Sequence, residues 1–285
     1  MAKTFLIIPN LKKSGCLDAV KKVTSYLMSK NCSVYCLKER SQQLLALNVS
    51  IIEDKDFDKI EAAIIFGGDG TFLESARRLK YDKIPLIGIN LGHLGYLSEV
   101  EPSELIDSLD KLIEDKYTIE KRITLEISDG EKRKFLGFNE MVIHRGCLSH
   151  IVEIAVDING QHIEKVRADG LLIATPTGST AYNLSSGGPI ILPSAKSLVI
   201  TPICAHSLAV KPIVVGNEDI IRISVTNIRN DGYPVLIVDG QSVGDINEKT
   251  SLFIKVSDVS IPLIKTKENS FYQTLQKKFN STEIQ

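Results

Sequence analysis

The sequence predicts two architectures in one chain. An α/β part built on an open parallel sheet comes first, and an antiparallel, layered all-β part follows. Three observations carry this. Apolar strand patterns alternate with helical patterns through the first third. Short β-rich segments separated by turn dipeptides then take over, and helical spacing returns in the tail. The predicted divisions are 1–116 for the α/β nucleotide-binding part, 117–264 for the β-rich part and 265–285 for a helical tail that packs back on the first part.

The elements follow in order. Thr4–Ile8 is a short apolar strand. Leu17–Met28 repeats Leu17, Val20, Val23 and Leu27 at helical spacing. Ser33–Leu37 is a second strand. Ala62–Phe66 is a third, wholly apolar and so buried on both faces. Thr71–Leu79 is a helix with Thr71 as its cap. Pro85–Asn90 is a further buried strand, and Pro102–Ile113 a helix with an apolar face. Beyond Lys116 the predicted strands are Tyr117–Ile127, Phe135–His144, Ile151–Ile158, Gly170–Ala174, Leu198–Ile203, Ile213–Val215, Ile220–Val225, Pro234–Val238 and Ser251–Val256. Asp129-Gly130, Asn159-Gly160, Asp231-Gly232 and Asp239-Gly240 mark turns between them. Ser179–Ser186 and Asn269–Phe279 are the helices of this half.

Composition narrows the function classes. The chain has 285 residues, 43% of them hydrophobic, enough for a real core. Its 34 basic and 35 acidic residues nearly balance, against the basic excess of a nucleic-acid binder. No apolar run reaches the ~18 residues of a membrane span, and the N-terminus lacks a signal-type apolar stretch. The expectation is a cytoplasmic protein with reduced thiols. The five cysteines are scattered, and the alternating segment holding Cys32 and Cys36 reads as packing. The histidines show no metal-ligand spacing, so no fixed protein-only metal site is predicted.

Two glycine-rich stretches carry the chemistry. In the first, the strand Ile64-Ile65-Phe66 breaks into Gly67-Gly68-Asp69-Gly70-Thr71 and opens a helix. Gly67, Gly68 and Gly70 accept positive φ and remove Cβ atoms that would block a ligand. Their N–H groups and the helix N-terminus suit a phosphate, at the strand end where open α/β sheets bind ligands. Asp69 would repel phosphate unless it holds a divalent ion or takes a proton from an attacking hydroxyl. A structural turn is the bland alternative, but the strand-before, helix-after context favours function. There is no Walker-type lysine motif, and Arg77 and Arg78 sit about two turns into the helix, so the phosphate charge lacks an obvious cation.

The second stretch runs from Asp169-Gly170 through Thr175-Pro176-Thr177-Gly178-Ser179-Thr180-Ala181-Tyr182-Asn183 to Gly187-Gly188-Pro189, small and hydroxyl-rich, as suits a nucleoside. Thr180 or Ser179 as a helix cap, and Tyr182 as packing, are the bland readings. Asn139-Glu140 ends a strand and can read an adenine edge and a ribose diol, or be an ordinary turn. His93 lies in a glycine-rich loop after a parallel strand.

These blocks resemble the NAD kinase family, within the superfamily shared with diacylglycerol and sphingosine lipid kinases and 6-phosphofructokinases. The resemblance rests on Gly67-Gly68-Asp69-Gly70-Thr71, Gly88-Ile89-Asn90-Leu91-Gly92-His93-Leu94-Gly95-Tyr96-Leu97, Asn139-Glu140, the Asp169–Pro189 block, Pro202 with His206-Ser207-Leu208, and Asp239-Gly240-Gln241, in order from about Ile7 to Leu275. It implies ATP- and divalent-metal-dependent (Mg²⁺ or another ion) phosphorylation of the adenosine 2′-hydroxyl of NAD, giving NADP. It also implies a Rossmann-like N-terminal domain, a C-terminal β-sandwich, a site in the crevice between them and a homo-oligomer, dimer or tetramer. The implied roles are Asp69 as general base; Gly67, Gly68, Gly70 and Thr71 on phosphate; and Asp69, Gly70, His93, Leu94, Asn139, Glu140, Asp169, Thr177, Thr180, Ala181, Tyr182, Ser185 and Gln241 toward NAD. By the same resemblance, Asp239-Gly240-Gln241 is a loop near the nicotinamide end, although the residue after its aspartate varies. Ser186 stands where an alanine is common. The rivals are a lipid or sugar kinase sharing the glycine loop, and a non-catalytic NADP-binding sensor. The partners expected are small molecules, with no nucleic acid and no membrane.

Overall fold

The structure is a computed structural model that describes residues 3–44, 47–81, 83–92, 94–98, 100–130, 133–146, 150–226, 233–267 and 271–282. The chain divides into two compact units, one of residues 1–121 and 261–285, the other of residues 122–260.

The first unit is α/β. Its strands are β1 (Thr4–Pro9), β2 (Ser33–Leu37), β3 (Ser50–Ile52), β4 (Ala62–Gly67) and β5 (Leu86–Asn90). They pair in the order β3-β2-β1-β4-β5, all parallel. The helices are α1 (Cys16–Ser29), α2 (Lys38–Leu44), α3 (Asp69–Arg78) and α4 (Leu105–Ile113), with α4 entered through a 3₁₀ turn at Pro102–Glu104. β4 and β5 are buried along their whole length, as apolar runs in a doubly covered parallel sheet should be. In α1 the core side is Cys16, Val20, Val23 and Leu27, and Leu17 faces out at 41% exposure, so the apolar stripe starts one residue earlier than its spacing suggested. Two elements escaped the sequence pattern. α2 buries only Leu44, and β3 is a three-residue edge strand. Cys16, Cys32 and Cys36 are buried free thiols in this core, and burial pushes each of them up.

The strand order reverses between β1 and β4, and in sheets of this kind ligands bind beyond the carboxyl ends at that point. The segment after β1 and the glycine turn after β4 both start there.

The second unit is a sandwich of antiparallel sheets. Its strands are β6 (Thr118–Ser128), β7 (Lys134–Gly137), β8 (Glu140–His144), β9 (Val152–Ile158), β10 (Gln161–Ala168), β11 (Gly170–Ala174), β12 (Ser197–Ile203), β13 (Ile213–Gly216), β14 (Ile221–Thr226), β15 (Val235–Val238), β16 (Gln241–Asp245) and β17 (Ser251–Lys265). One layer runs β10-β9-β14-β17, with β6 beside β17 and β7 beside β6. The other is six-stranded, β13-β12-β11-β8-β15-β16. Leu125, Ile143, Ile154, Ile173, Ile200, Ile223 and Ile254 from both layers form one core between them. The first residues of β6 (Thr118–Lys121) and the last residues of β17 lie in the first unit, where Leu263 pairs with Leu86 of β5. α5 (Tyr182–Ser185), preceded by a 3₁₀ turn at Gly178–Thr180, lies in the second unit. Helix α6 (Phe271–Thr282) belongs to the first.

Three predicted elements differ in ways that matter for function. The single strand expected over Phe135–His144 is two, β7 and β8, because the N–H groups of Phe138 and Asn139 leave the ladder for a carboxylate. The helix expected over Ser179–Ser186 is broken at Ala181, whose backbone (φ −98, ψ −127) is not helical. The helix expected to start at Thr71 begins at Asp69, with extended Gly68 (φ −108, ψ −170) in the capping position and no side-chain cap. The Asp231-Gly232 turn lies outside the described residues.

Candidate active site

In the first unit, β4 ends at Gly67, Gly68 is extended, and Asp69 opens α3. Gly67, Gly68 and Gly70 do not take the left-handed conformation expected of them. Their value is the missing Cβ. A Cβ on Gly67 would stand 2.5 Å from Thr71 Oγ1, whereas Gly68 and Gly70 face open space. The first-turn N–H groups of α3 have no intrahelical partner, and the helix dipole adds positive character there. Such amides suit an anion, and the Asp69 carboxylate stands beside them.

Asp69 is half-buried, and its carboxylate is held on both oxygens. Tyr96 N–H donates to Oδ2 at 2.8 Å, while Leu97 and Ser98 N–H donate to Oδ1 at 3.0 and 3.3 Å. A carboxylate has about four lone-pair positions. Oδ2 therefore keeps one for a further donor such as a hydroxyl. Gly95 makes the close approach possible, because a Cβ there would lie 2.1 Å from Asp69 Oδ1. Burial first, and then the Asp69 charge, push the Tyr96 phenol up. Across the sheet's switch point, the Asn10 amide donates to Thr71 Oγ1 at 2.9 Å. The same loop carries Lys13, whose Nζ lies 3.5 Å from the Cβ position of Gly92. Lys13 is a cation that local motif spacing does not reveal, because it sits more than fifty residues before the glycine turn (Lys13 against Gly67). Arg78, by contrast, is engaged by Glu39 and Asp54. Leu94 is half-buried in the loop that Asp69 clasps, and His93 lies outside the described residues.

The second unit gathers most of the other predicted residues around the break between β7 and β8. Asp239 is the organiser. Its Oδ2 accepts from Phe138 N–H at 2.9 Å, and its Oδ1 from Asn139 and Glu140 N–H at 2.7 and 3.2 Å. Asp239 and Gly240 both take positive φ (46° and 75°), forming a two-residue hairpin between β15 and β16. Gln241 follows, exposed. The Thr175–Gly178 turn closes over the same break: Thr175 Oγ1 donates to Phe138 C=O at 2.6 Å, and Thr175 N–H to Asn139 C=O at 2.9 Å. A Cβ on Gly178 would meet that Asn139 oxygen at 2.1 Å. Beyond it, fully buried Asn183 donates to the carbonyls of Ser179 and Pro189 and accepts from the Thr201 hydroxyl at 2.6 Å. That network leaves Thr180 and Ala181 half-exposed and Tyr182 and Ser185 exposed beside the corner.

Glu140 is the unusual group. It is 8% exposed, and its Oε2 is buried with no hydrogen-bond partner among the described residues. Burial, then repulsion from Asp239, pushes its carboxyl up to about 7. A buried acceptor without a donor suits a ligand hydroxyl. Thr177, in the turn that closes over the break, is itself buried, and buried Arg122 donates to Thr177 Oγ1 at 3.4 Å.

Asp169 stands apart. It precedes β11, whereas Thr175–Ser185 follow that strand. At ~3.3 Å per residue, the six steps from Asp169 to Thr175 make roughly 20 Å of separation. Its carboxylate pairs with Arg145 Nε at 2.9 Å.

Among the described residues, no group of three or more His, Cys, Asp or Glu is placed to hold a metal ion. Both oxygens of Asp69 already serve backbone donors. No helix among the described residues is long and apolar enough to cross a membrane.

A parallel-sheet switch point with open helix-start amides in one unit, and a hydroxyl-rich corner in the sandwich of the other, suit a nucleotide-handling α/β-plus-β enzyme. Comparison with known proteins makes this specific. Residues 5–117 match the ATP-NAD kinase N-terminal domain and residues 138–266 the ATP-NAD kinase C-terminal domain. The NAD kinase of Caldanaerobacter subterraneus subsp. tengcongensis is 36% identical over 95% of this chain and 97% of its own length. That of Bacteroides fragilis is 40% identical over 82% and 81%. The fold is shared with yeast NADH kinase complexed with NADH (TM-score 0.87, 22% identity, 98% and 88% of the two chains). It is also shared with an Archaeoglobus fulgidus NAD kinase in complex with ATP (TM-score 0.76, 22% identity, 97% and 99%). The chain belongs to the NAD kinase family.

Proposed function

We propose that the protein transfers the γ-phosphoryl group of ATP to the adenosine 2′-hydroxyl of NAD, giving NADP. The observation that carries this is Asp69, fixed at the first residue of α3 by three backbone donors and still holding a free acceptor position on Oδ2. A 2′-hydroxyl placed there can pass its proton to Asp69 as the O–P bond forms, and ADP leaves. Phosphoryl transfer depends mostly on positioning and charge neutralisation, and Asp69 needs no reorganisation to receive the proton. The open amides around Gly68 and Gly70 take the phosphate oxygens, and Lys13, whose Nζ lies beside Gly92, supplies the cation.

In the second unit, Asn139 and Glu140 take the adenosine end, with Glu140 Oε2 accepting from ribose hydroxyls. Thr177, Thr180, Ala181, Tyr182 and Ser185 form the wall of that pocket, and Gln241 lies toward the nicotinamide end. A dinucleotide contact at Asp169 requires the ligand to extend along β11, or a second copy to supply it. The reading includes a homo-oligomer, a cytoplasmic setting and a divalent metal that arrives on the ATP phosphates. The test is NADP formation from NAD, ATP and Mg²⁺ by purified protein, read through an NADP-specific dehydrogenase. Folded protein that yields no NADP with any phosphoryl donor refutes the proposal. Phosphorylation of a lipid or sugar in its place would favour the wider superfamily.

A further inference from the structure

The loop that orients Asp69 is itself held from outside. Tyr96, the first of its three amide donors, lies under the C-terminal helix. The Phe271 ring stacks on the Tyr96 ring with centroids 5.5 Å apart and planes inclined at 30°. Lys278 Nζ lies 4.1 Å from the centroid of the same ring. Phe271 and Lys278 are seven residues apart, two helical turns, and so share one face of α6. Aromatic stacking and a close cation–π contact thus converge on one side chain, and both are attractive for a tyrosine ring.

The helix is not loosely attached. Thr274, on the intervening turn, is 2% exposed. Just before the helix, Lys267 is paired with Glu104 and the Thr266 hydroxyl donates to Ser108 Oγ at 3.0 Å. Tyr272 and Phe279 point outward at 61% and 53% exposure, so the apolar surface of α6 is not simply spread over the core. At the other end, Gly95 and Asp69 are in contact so close that no Cβ fits between them. A movement of the Tyr96 backbone therefore moves the carboxylate.

We propose that α6 is a brace for the catalytic loop, in which Phe271 and Lys278 are positioning residues that fix Tyr96 and through it the orientation of Asp69. The inference rests on the reading of Asp69 as the base. It adds that the carboxyl-terminal helix sets turnover without touching either substrate. A brace of this kind acts on the chemical step and leaves ground-state binding largely alone.

The experiment compares wild type with Phe271→Ala, Phe271→Tyr, Lys278→Met and, as a control on the exposed side of the same helix, Phe279→Ala. Steady-state NADP formation gives kcat and KM for NAD and ATP, and hydrogen exchange is followed at the amides of Tyr96, Leu97 and Ser98. Phe271→Ala should lower kcat about tenfold with both KM values within twofold, and speed exchange at those three amides. Lys278→Met should do the same more weakly. Phe271→Tyr should restore wild-type values, and Phe279→Ala should keep them. Wild-type kcat and amide exchange in Phe271→Ala overturn the brace, as does a loss confined to KM. A wild-type protein that makes no NADP would instead overturn the assigned reaction, while the exchange measurement would still report on the brace.

Discussion

Asp69 and Asp239 each accept three consecutive backbone N–H groups from a loop distant in sequence. Hydrogen bonds to a charged group are worth roughly 1.5–3 kcal/mol each, so both clasps are stiff. The consequences differ. In the proposed reaction the first clasp fixes a base, whereas Asp239 holds the Asn139 and Glu140 backbone and leaves Glu140 Oε2 buried without a donor among the described residues, as the proposed ligand acceptor. Glu140 then carries a pH signature. Its carboxyl stands near 7 in the folded protein against an ordinary value of 4.5. The folded state thus keeps a proton that the unfolded chain releases between those values. The associated stability is complete below about 4.5 and is lost as the pH rises from there through about 7, by on the order of 3 kcal/mol. In Glu140→Gln that component should vanish. Urea titrations from pH 5 to 8 should show a flatter stability profile than wild type. NAD affinity in the wild type should rise as the pH passes about 7, and the variant should lack that rise. Parallel profiles for the two proteins would contradict the role given to this carboxylate.

At the scale of elements, the strand–turn–helix at 62–78 was legible because its signal is local: an apolar run, three glycines, then helical spacing. The missing Cβ of those glycines was legible, although none of them takes the positive φ expected; the role of Gly95 was not legible. Gly95 is required by Asp69, 26 positions earlier, and such a requirement leaves no mark within a local window. Gly95→Ala should force the clasp open. The expected result is a loss of at least tenfold in kcat, with ~1–3 kcal/mol of destabilisation from overpacking, measured by denaturant titration beside the kinetics. Full activity in that variant would mean that the clasp is dispensable. Elements missed from the sequence have similar causes. β10 carries a register shift between His162 and Glu164 that breaks its period-two pattern, and its outer face is polar. β16 is short, largely exposed and interrupted at Gly244 (φ 140°). The break between β7 and β8 was hidden because Asp239, which causes it, lies about a hundred residues away.

At the scale of the molecule, the order of fold classes along the chain was readable, since alternation of strand and helix gives way to strand after strand. The residues expected to bind NAD fall in two sets, one in each unit, on motifs that are individually weak and together specific to the family. Asp169 is the outlier: it and Thr177 stand at opposite ends of β11, a strand the sequence already marks at Gly170–Ala174. The Asp239-Gly240 pair signals a turn in the sequence, but the larger role of Asp239 is to hold the β7–β8 break, which no local pattern records. The proposed reaction rests on Asp69, and one rate tests it: NADP formation by Asp69→Asn relative to wild type. Asparagine keeps the shape but turns one acceptor into a donor facing a backbone N–H, and it cannot take a proton at neutral pH. Loss of general-base action is typically 10²–10⁴-fold. If Asp69 is the base, the rate should fall at least a hundredfold while NAD still binds. Turnover within a few-fold of wild type would contradict that assignment.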